Sequence, residues 1–143
     1  MTAGGISGLE IEGVDHIGIV VDNLDDAKHL LGSVFGLTLV RETDLPNLGR
    51  KVAFFQCGSA ELEAIEIYDP SARTAELGND TARIQHVALR VRSVREAVAA
   101  AGSLGVRIDR RGVIEAVGRI NAWTEPESTD GIMFQLTQPL GTP

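Results

Sequence analysis

Asp15-His16-Ile17-Gly18-Ile19-Val20-Val21, near the start of the chain, is matched in its second half by Gln85-His86-Val87-Ala88-Leu89-Arg90-Val91. The two histidines stand 70 residues apart. The match runs on without a gap, with Asn23-Leu24-Asp25-Asp26-Ala27 over Ser93-Val94-Arg95-Glu96-Ala97. Each stretch begins as a strand, with aliphatic residues in a two-residue period, and then meets a polar residue that can open a helix. Ser93 with Glu96 fits a capping box, in which each side chain bonds the other's backbone N–H, and Asn23 with Asp26 is a weaker form of it. Helices are expected over 24–34 and 94–102, ending near Gly36 and Gly102.

Three strand-like segments follow each helix. In the first half they are 37–42, 51–57 and 61–68, with Cys57-Gly58-Ser59 as a hairpin turn. In the second they are 106–110, 119–124 and 131–137. The last strands align too, Glu66-Ile67-Tyr68-Asp69-Pro70 over Gln135-Leu136-Thr137-Gln138-Pro139, at an offset of 69. Each half therefore reads β-α-β-β-β. The expected organisation is a flexible N-terminus over 1–11, a first module over 12–70, a polar linker over 71–81, a second module over 82–139 and a tail over 140–143. Neither half could bury its sheet alone, so the fold class is α+β with both modules in one unit.

Composition narrows the function. A hydrophobic fraction of 43% and a charged fraction of 23% are ordinary for a globular chain. The 16 glycines among 143 residues point to many tight turns. No apolar run approaches the roughly 20 residues of a membrane helix, and the start of the chain lacks the basic and apolar regions of a signal peptide. The expected location is the cytoplasm. A single cysteine, Cys57, excludes an internal disulfide and a cysteine-only zinc site. Thirteen basic against 20 acidic residues give a net charge of −7, which argues against nucleic acid as a partner. A small-molecule partner is expected.

The polar residues of the repeat carry the chemistry. Alternation puts His16 with Gly18 and Val20, opposite Ile17, Ile19 and Val21. It puts His86 with Ala88, Arg90 and Arg92, opposite Val87, Leu89 and Val91. If the aliphatic faces pack on the helices, the histidines face the other way, beside small residues that leave room. In the last strands Glu66 opposes Ile65 and Ile67, and Gln135 opposes Phe134 and Leu136. A pseudo-twofold axis would bring His16, Glu66, His86 and Gln135 to one point. Two imidazoles, a carboxylate and an amide oxygen suit a divalent metal ion: Zn, Ni, Co, Mn or Fe. Taken singly, a strand histidine is usually packed and a strand glutamate solvated. Their recurrence at matching positions is what favours a site. His29 has no counterpart and reads as surface.

These stretches resemble the vicinal oxygen chelate superfamily of glyoxalases, bleomycin resistance proteins and dioxygenases, and within it the methylmalonyl-CoA epimerases. The resemblance rests on Val14–Val21 with Leu24, on Leu45-Pro46 leading through Gly49 to Lys51-Val52-Ala53-Phe54, on Arg119-Ile120-Asn121, and on Pro126–Ile132. It implies tandem βαβββ modules on a curved, half-barrel mixed sheet around a metal, with a homodimer as the usual assembly. By position it makes His16, Glu66, His86 and Gln135 the metal ligands. The epimerases carry an amide second and a carboxylate fourth, so the two are exchanged here. Epimerisation moves a proton off and onto a carbon next to a carbonyl, which calls for proton carriers. Glu66 is the candidate carrier. Gln135 cannot serve, the family's further glutamate falls near Val52, and Glu42 is the candidate replacement beside its plain reading as a solvated strand end.

Substrate-binding candidates are Arg90, Asn121, Trp123 and Ser128, with Arg50, Lys51, Arg92 and Arg119 as further basic groups. Trp123 lies opposite Phe54 in the repeat, where either core packing or a substrate wall fits. The family's lysine-bearing turn reads Glu125-Pro126-Glu127-Ser128 here, which weakens the case for a CoA phosphate. The leading expectation is a metal-dependent epimerase or isomerase acting on a carbonyl or acyl-thioester substrate. The alternatives are a glyoxalase-type lyase, an Fe(II) ring-cleaving dioxygenase, and a non-catalytic protein that sequesters a cationic antibiotic.

Overall fold

A computed structural model of the chain describes residues 7–141. Residues 1–6 of the expected flexible N-terminus and 142–143 of the expected tail lie outside that range. Among the described residues eight strands form the sheet: β1 Ile11–Val21, β2 Thr38–Leu45, β3 Arg50–Cys57, β4 Ala60–Ile67, β5 Ala82–Val91, β6 Ile114–Ala116, β7 Arg119–Trp123 and β8 Phe134–Pro139. Their order is β2-β3-β4-β1-β5-β8-β7-β6. β1 runs parallel to β4 and β5 parallel to β8, whereas β2–β3, β3–β4, β6–β7 and β7–β8 are antiparallel. This mixed sheet with its crossover helices is the expected glyoxalase-like fold. No helix among the described residues is long and apolar enough to cross a membrane.

The chain forms two compact units. One is His16–Gln85; the other joins the residues up to Asp15 with His86 onward. The cut falls directly before each repeated histidine, so β1 and β5 change unit at equivalent points of the repeat.

In the unit His16–Gln85, Asn23 Oδ1 accepts from Asp26 N at 2.9 Å and opens α1, Leu24–Lys28. The helix then widens into a π-helical turn over His29–Val34, so the expected helix over 24–34 is regular only in its first half. Within the expected linker over 71–81, the residues up to Leu77 belong to a helix, α2, Pro70–Leu77. Asp69 caps it, accepting from Ala72 N at 3.1 Å, and Pro70 stands at a first-turn position where no N–H is needed. Both sheet faces of this unit are apolar. Val21, Leu24, Leu31, Ala53, Phe55 and Ala64 pack on the α1 side. Val20, Val52, Phe54, Ile65 and Ile67 pack on the other, together with Leu77 of α2.

In the other unit, Ser93 Oγ accepts from Glu96 N at 3.3 Å at the start of α3, Val94–Gly102. Val91, Val94, Ala97, Ala122 and Leu136 form its core. The expected strand 106–110 is not one: Ile108 makes a single bridge to Thr124, and a turn from Asp109 to Gly112 diverts the chain. The edge strand is β6, tied to β7 by a two-residue loop, Val117-Gly118, in which both φ angles are positive. The expected last strand 131–137 starts three residues later, because Gly131 and Ile132 are held by Pro126 O and Thr129 O in a turn.

The register corrects the repeat. Gly18 pairs with Glu63 in β4, and Ala88 pairs with Gln135 in β8. Gly18 and Ala88 are equivalent, so Glu63 and Gln135 are equivalent, 72 residues apart rather than 69. The capping bonds agree: Leu24 N donates to Glu66 Oε1 at 2.8 Å, and Val94 N donates to Gln138 Oε1 at 3.0 Å. The counterpart of Glu66 is therefore Gln138.

Candidate metal centre

In the unit His16–Gln85, the parallel pairing of β1 and β4 places His16, Gly18 and Val20 on the same face as Glu61, Glu63, Ile65 and Ile67. His16 is 2% exposed, and its Nε2 lies 3.3 Å from Glu63 Oε1. The imidazole meets Phe54 edge to face, with centroids 5.6 Å apart. Arg41 lies over the other ring, its guanidinium carbon 4.0 Å from the Phe54 centroid, and grips Glu61 through two hydrogen bonds of 2.8 and 3.3 Å. His16 is thus fixed on one side by a packed ring that an arginine holds in turn.

Glu66 faces away from this group. Its carboxylate caps α1 and lies 3.5 Å from Lys51 Nζ and 4.0 Å from Arg73 Nη2. An anion at a helix N-terminus also suits the helix dipole. Glu42 is opposite Ala53 in the register, on the α1 side, and pairs with Lys28 at 2.7 Å. Both expected proton carriers therefore lie on the helix face, and the structure does not bring either to His16. Glu63 is the carboxylate it does bring.

In the other unit, His86 is 4% exposed, and Gln135 lies beside Ala88 on the same face of the sheet. Gln135 Nε2 donates to Asn121 Oδ1 at 2.8 Å, and Thr137 Oγ1 donates to the same oxygen at 3.0 Å. Asn121 Nδ2 reaches Ala116 O and Arg119 O at 3.3 and 3.5 Å. Next to these, the buried Asp15 accepts from Arg90 Nε and Nη2 at 3.1 and 3.0 Å, and from Arg119 Nη1 at 2.6 Å. The positions equivalent to Arg90, Asn121 and Thr137 in the first unit are Val20, Val52 and Ile65. At these three positions one unit carries hydrocarbon and the other hydrogen-bonded side chains.

Trp123 matches Phe54, and it too carries an arginine: the Arg111 carbon lies 3.9 Å from the Trp123 ring centroid. Asp109 holds that arginine at 2.6 Å. Burial works to raise the Asp109 pKa, but the hydrogen bonds and charge of Arg111, with the charge of Arg110, outweigh it and keep the carboxyl below its ordinary value. Ser128 is a turn residue: its hydroxyl accepts from Arg107 N at 2.9 Å and donates to Glu125 O at 2.8 Å. Arg92 is exposed, and Arg50 Nε bonds Leu48 O at 3.2 Å. His29 is exposed, as expected.

His16 and Glu63 belong to one unit and His86 to the other. Two imidazoles and a carboxylate are a donor set that fits a borderline divalent metal, and the Gln135 amide is of a type that fits beside them. Glu63 was legible in one respect. The alternation of β4 sets Glu61 and Glu63 with Ile65 and Ile67, so the choice between Glu63 and Glu66 depended on which face the isoleucines take.

A model of the glyoxalase/bleomycin resistance protein/dioxygenase superfamily matches residues 15–121. The chain belongs to that superfamily. It is 32% identical over 130 residues to the uncharacterized protein YqjC of Bacillus subtilis (strain 168), covering 90% of this chain and 93% of the relative. Among solved structures it resembles the hypothetical protein BH1468 from Bacillus halodurans C-125, with a TM-score of 0.80, 26% identity, and coverage of 91% of this chain and 96% of that one. It also resembles methylmalonyl-CoA epimerase from Mycobacterium tuberculosis, with a TM-score of 0.84, 23% identity, and coverage of 97% and 95%.

Proposed function

We propose that the chain is a metal-dependent isomerase that moves a proton on a carbon next to a carbonyl, in the manner of a methylmalonyl-CoA epimerase. The observation that carries this is His16, buried with Glu63 Oε1 3.3 Å from its Nε2, together with His86, buried at the equivalent place of the repeat. These three, with Gln135, would hold one divalent ion. Bound there, the ion supplies a Lewis acid for the negative charge that builds on the substrate oxygens. Glu63 takes up the proton and returns it. Gln135 has no proton to exchange, so the donor set has one carboxylate where two-base epimerisation needs a second carrier. Arg90 is the candidate for an anionic substituent: it shares the single carboxylate of Asp15 with Arg119, and its side chain is 41% exposed.

One carboxylate also supports a second reading, the glyoxalase type, in which a single base shifts a proton between neighbouring carbons. In either reading the protein is cytoplasmic and takes a small carbonyl or acyl-thioester substrate. The exposed Leu39 and Val40 on edge strand β2 support a homodimer, which light scattering would test.

The deciding experiment is metal analysis of untagged protein followed by deuterium exchange. About one divalent ion per chain is expected, with solvent deuterium entering C2 of a methylmalonyl thioester. Turnover of a methylglyoxal–thiol adduct without that exchange would transfer the assignment to the glyoxalase type. Protein that holds no metal after reconstitution would end both readings.

A further inference from the structure

The structure assigns Asn121 a positioning role: it fixes the Gln135 amide with its oxygen as the end presented to a cation. This rests on the metal reading above. A glutamine amide has a donor end and an acceptor end, and only the acceptor can ligate a metal. Nothing intrinsic to Gln135 selects that end. Asn121 is 3% exposed, and its own orientation is set by the main chain. Two carbonyls, Ala116 O and Arg119 O, take its Nδ2, so its Oδ1 must point the other way. That oxygen meets Gln135 Nε2 at 2.8 Å and Thr137 Oγ1 at 3.0 Å. An oxygen can only accept, so Gln135 must turn its nitrogen to Asn121 and its oxygen elsewhere. The polar groups of Asn121 are thus spent within the chain, which makes it a positioning residue and not a substrate contact.

The repeat supplies a comparison. Glu63 holds the equivalent of the Gln135 position, and the equivalents of Asn121 and Thr137 are Val52 and Ile65. A carboxylate presents an acceptor whichever way it turns and needs no such partner. The amide ligand has a buried Asn–Thr pair behind it; the carboxylate ligand has two hydrocarbons.

The test is Co(II) affinity, followed by the visible absorbance of the bound ion, in the native chain and in Asn121→Val, Gln135→Glu and the double variant. Loss of an outer-shell partner typically weakens metal binding by about 10- to 100-fold. Asn121→Val is expected to do so when Gln135 is present, and to have less than about a threefold effect when Glu occupies position 135. Equal losses in both backgrounds would mean a general packing role and would overturn the proposal, as would no loss in either. Should Asn121→Val not fold, as judged by its melting curve, Asn121→Ala and Asn121→Asp make the same comparison by removing and keeping the acceptor. If the native chain binds no Co(II), the metal reading falls and this inference with it. If the native chain binds and His86→Ala does not, a null result at Asn121 overturns only the inference.

Discussion

Two glutamates three residues apart have different work. Glu63 lies 3.3 Å from a buried histidine, whereas Glu66 caps a helix. Glu63→Ala is expected to abolish stoichiometric metal binding while the chain stays folded. Glu66→Ala should keep the metal and lower stability by about 1 kcal/mol, the usual worth of a helix-capping side chain; Glu66→Gln, which keeps an acceptor, should lose less. Metal content and urea denaturation of both variants check this, and retention of full metal by Glu63→Ala would remove that residue from the site. The only tryptophan, Trp123, reports on a second pair of residues. Asp109 holds Arg111 against its ring, and that carboxyl titrates below its ordinary value. A depressed pKa means that the contact is intact above the ordinary carboxylate range and lost only as pH falls through the lowered value. Trp123 emission should therefore stay level from neutral pH down to about 4 and change below it. A transition centred above that range, or one that survives Asp109→Asn, would contradict the assignment.

At the scale of elements, strand and helix identity was largely legible, because the period-two runs around His16 and His86 and the polar residues Asn23 and Ser93 carry their signals locally. The errors came where a turn outweighed a pattern. Val106–Arg110 alternates like a strand, yet the Asp109 side chain accepts from Arg111 N and closes a turn. Asp69-Pro70 and Gln138-Pro139 look alike, but the first pair opens α2 and the second ends β8. That likeness moved the repeat alignment by three residues and put Glu66 where Glu63 belongs. The β6–β7 loop supports a stability prediction. Val117 holds φ at 56°, a left-handed conformation that disfavours a β-branched residue. Val117→Asn, followed by Gly118, matches the favoured sequence of such a loop and should raise stability by about 1 kcal/mol. Thermal denaturation would show it, and an unchanged midpoint would count against the loop geometry.

At the scale of the whole molecule, Asp15 matters most. It lies near the start of the chain, is 3% exposed, and binds Arg90 and Arg119, residues 75 and 104 positions away. Asp15→Ala would leave two arginines sharing no carboxylate, one of them largely buried. Breaking a buried pair costs about 3–5 kcal/mol; with Arg90 partly exposed, about 3 kcal/mol is expected from the shift in urea midpoint. A loss under about 1 kcal/mol would mean that water replaces the carboxylate. This network also separates the two units chemically. The first has Val20, Val52 and Ile65 at three matching positions, where close packing suffices. The second, with Arg90, Asn121 and Thr137, needs every polar group satisfied, and such a network leaves little freedom to the side chains it holds.

The sequence by itself determined the duplication, the βαβββ order, the family and the pair of histidines, because each is written in residues close together or repeated at a fixed spacing. It pointed to a carboxylate opposite the Gln135 amide in the repeat but named Glu66, where the register puts Glu63. Only the tertiary structure decided which carboxylate. β4 is apolar on both faces, so its alternation fixes which residues share a side but not which side meets His16; the parallel register of β1 and β4 makes that choice. The same holds for Asn121, whose role depends on carbonyls and side chains that strand pairing alone brings within reach.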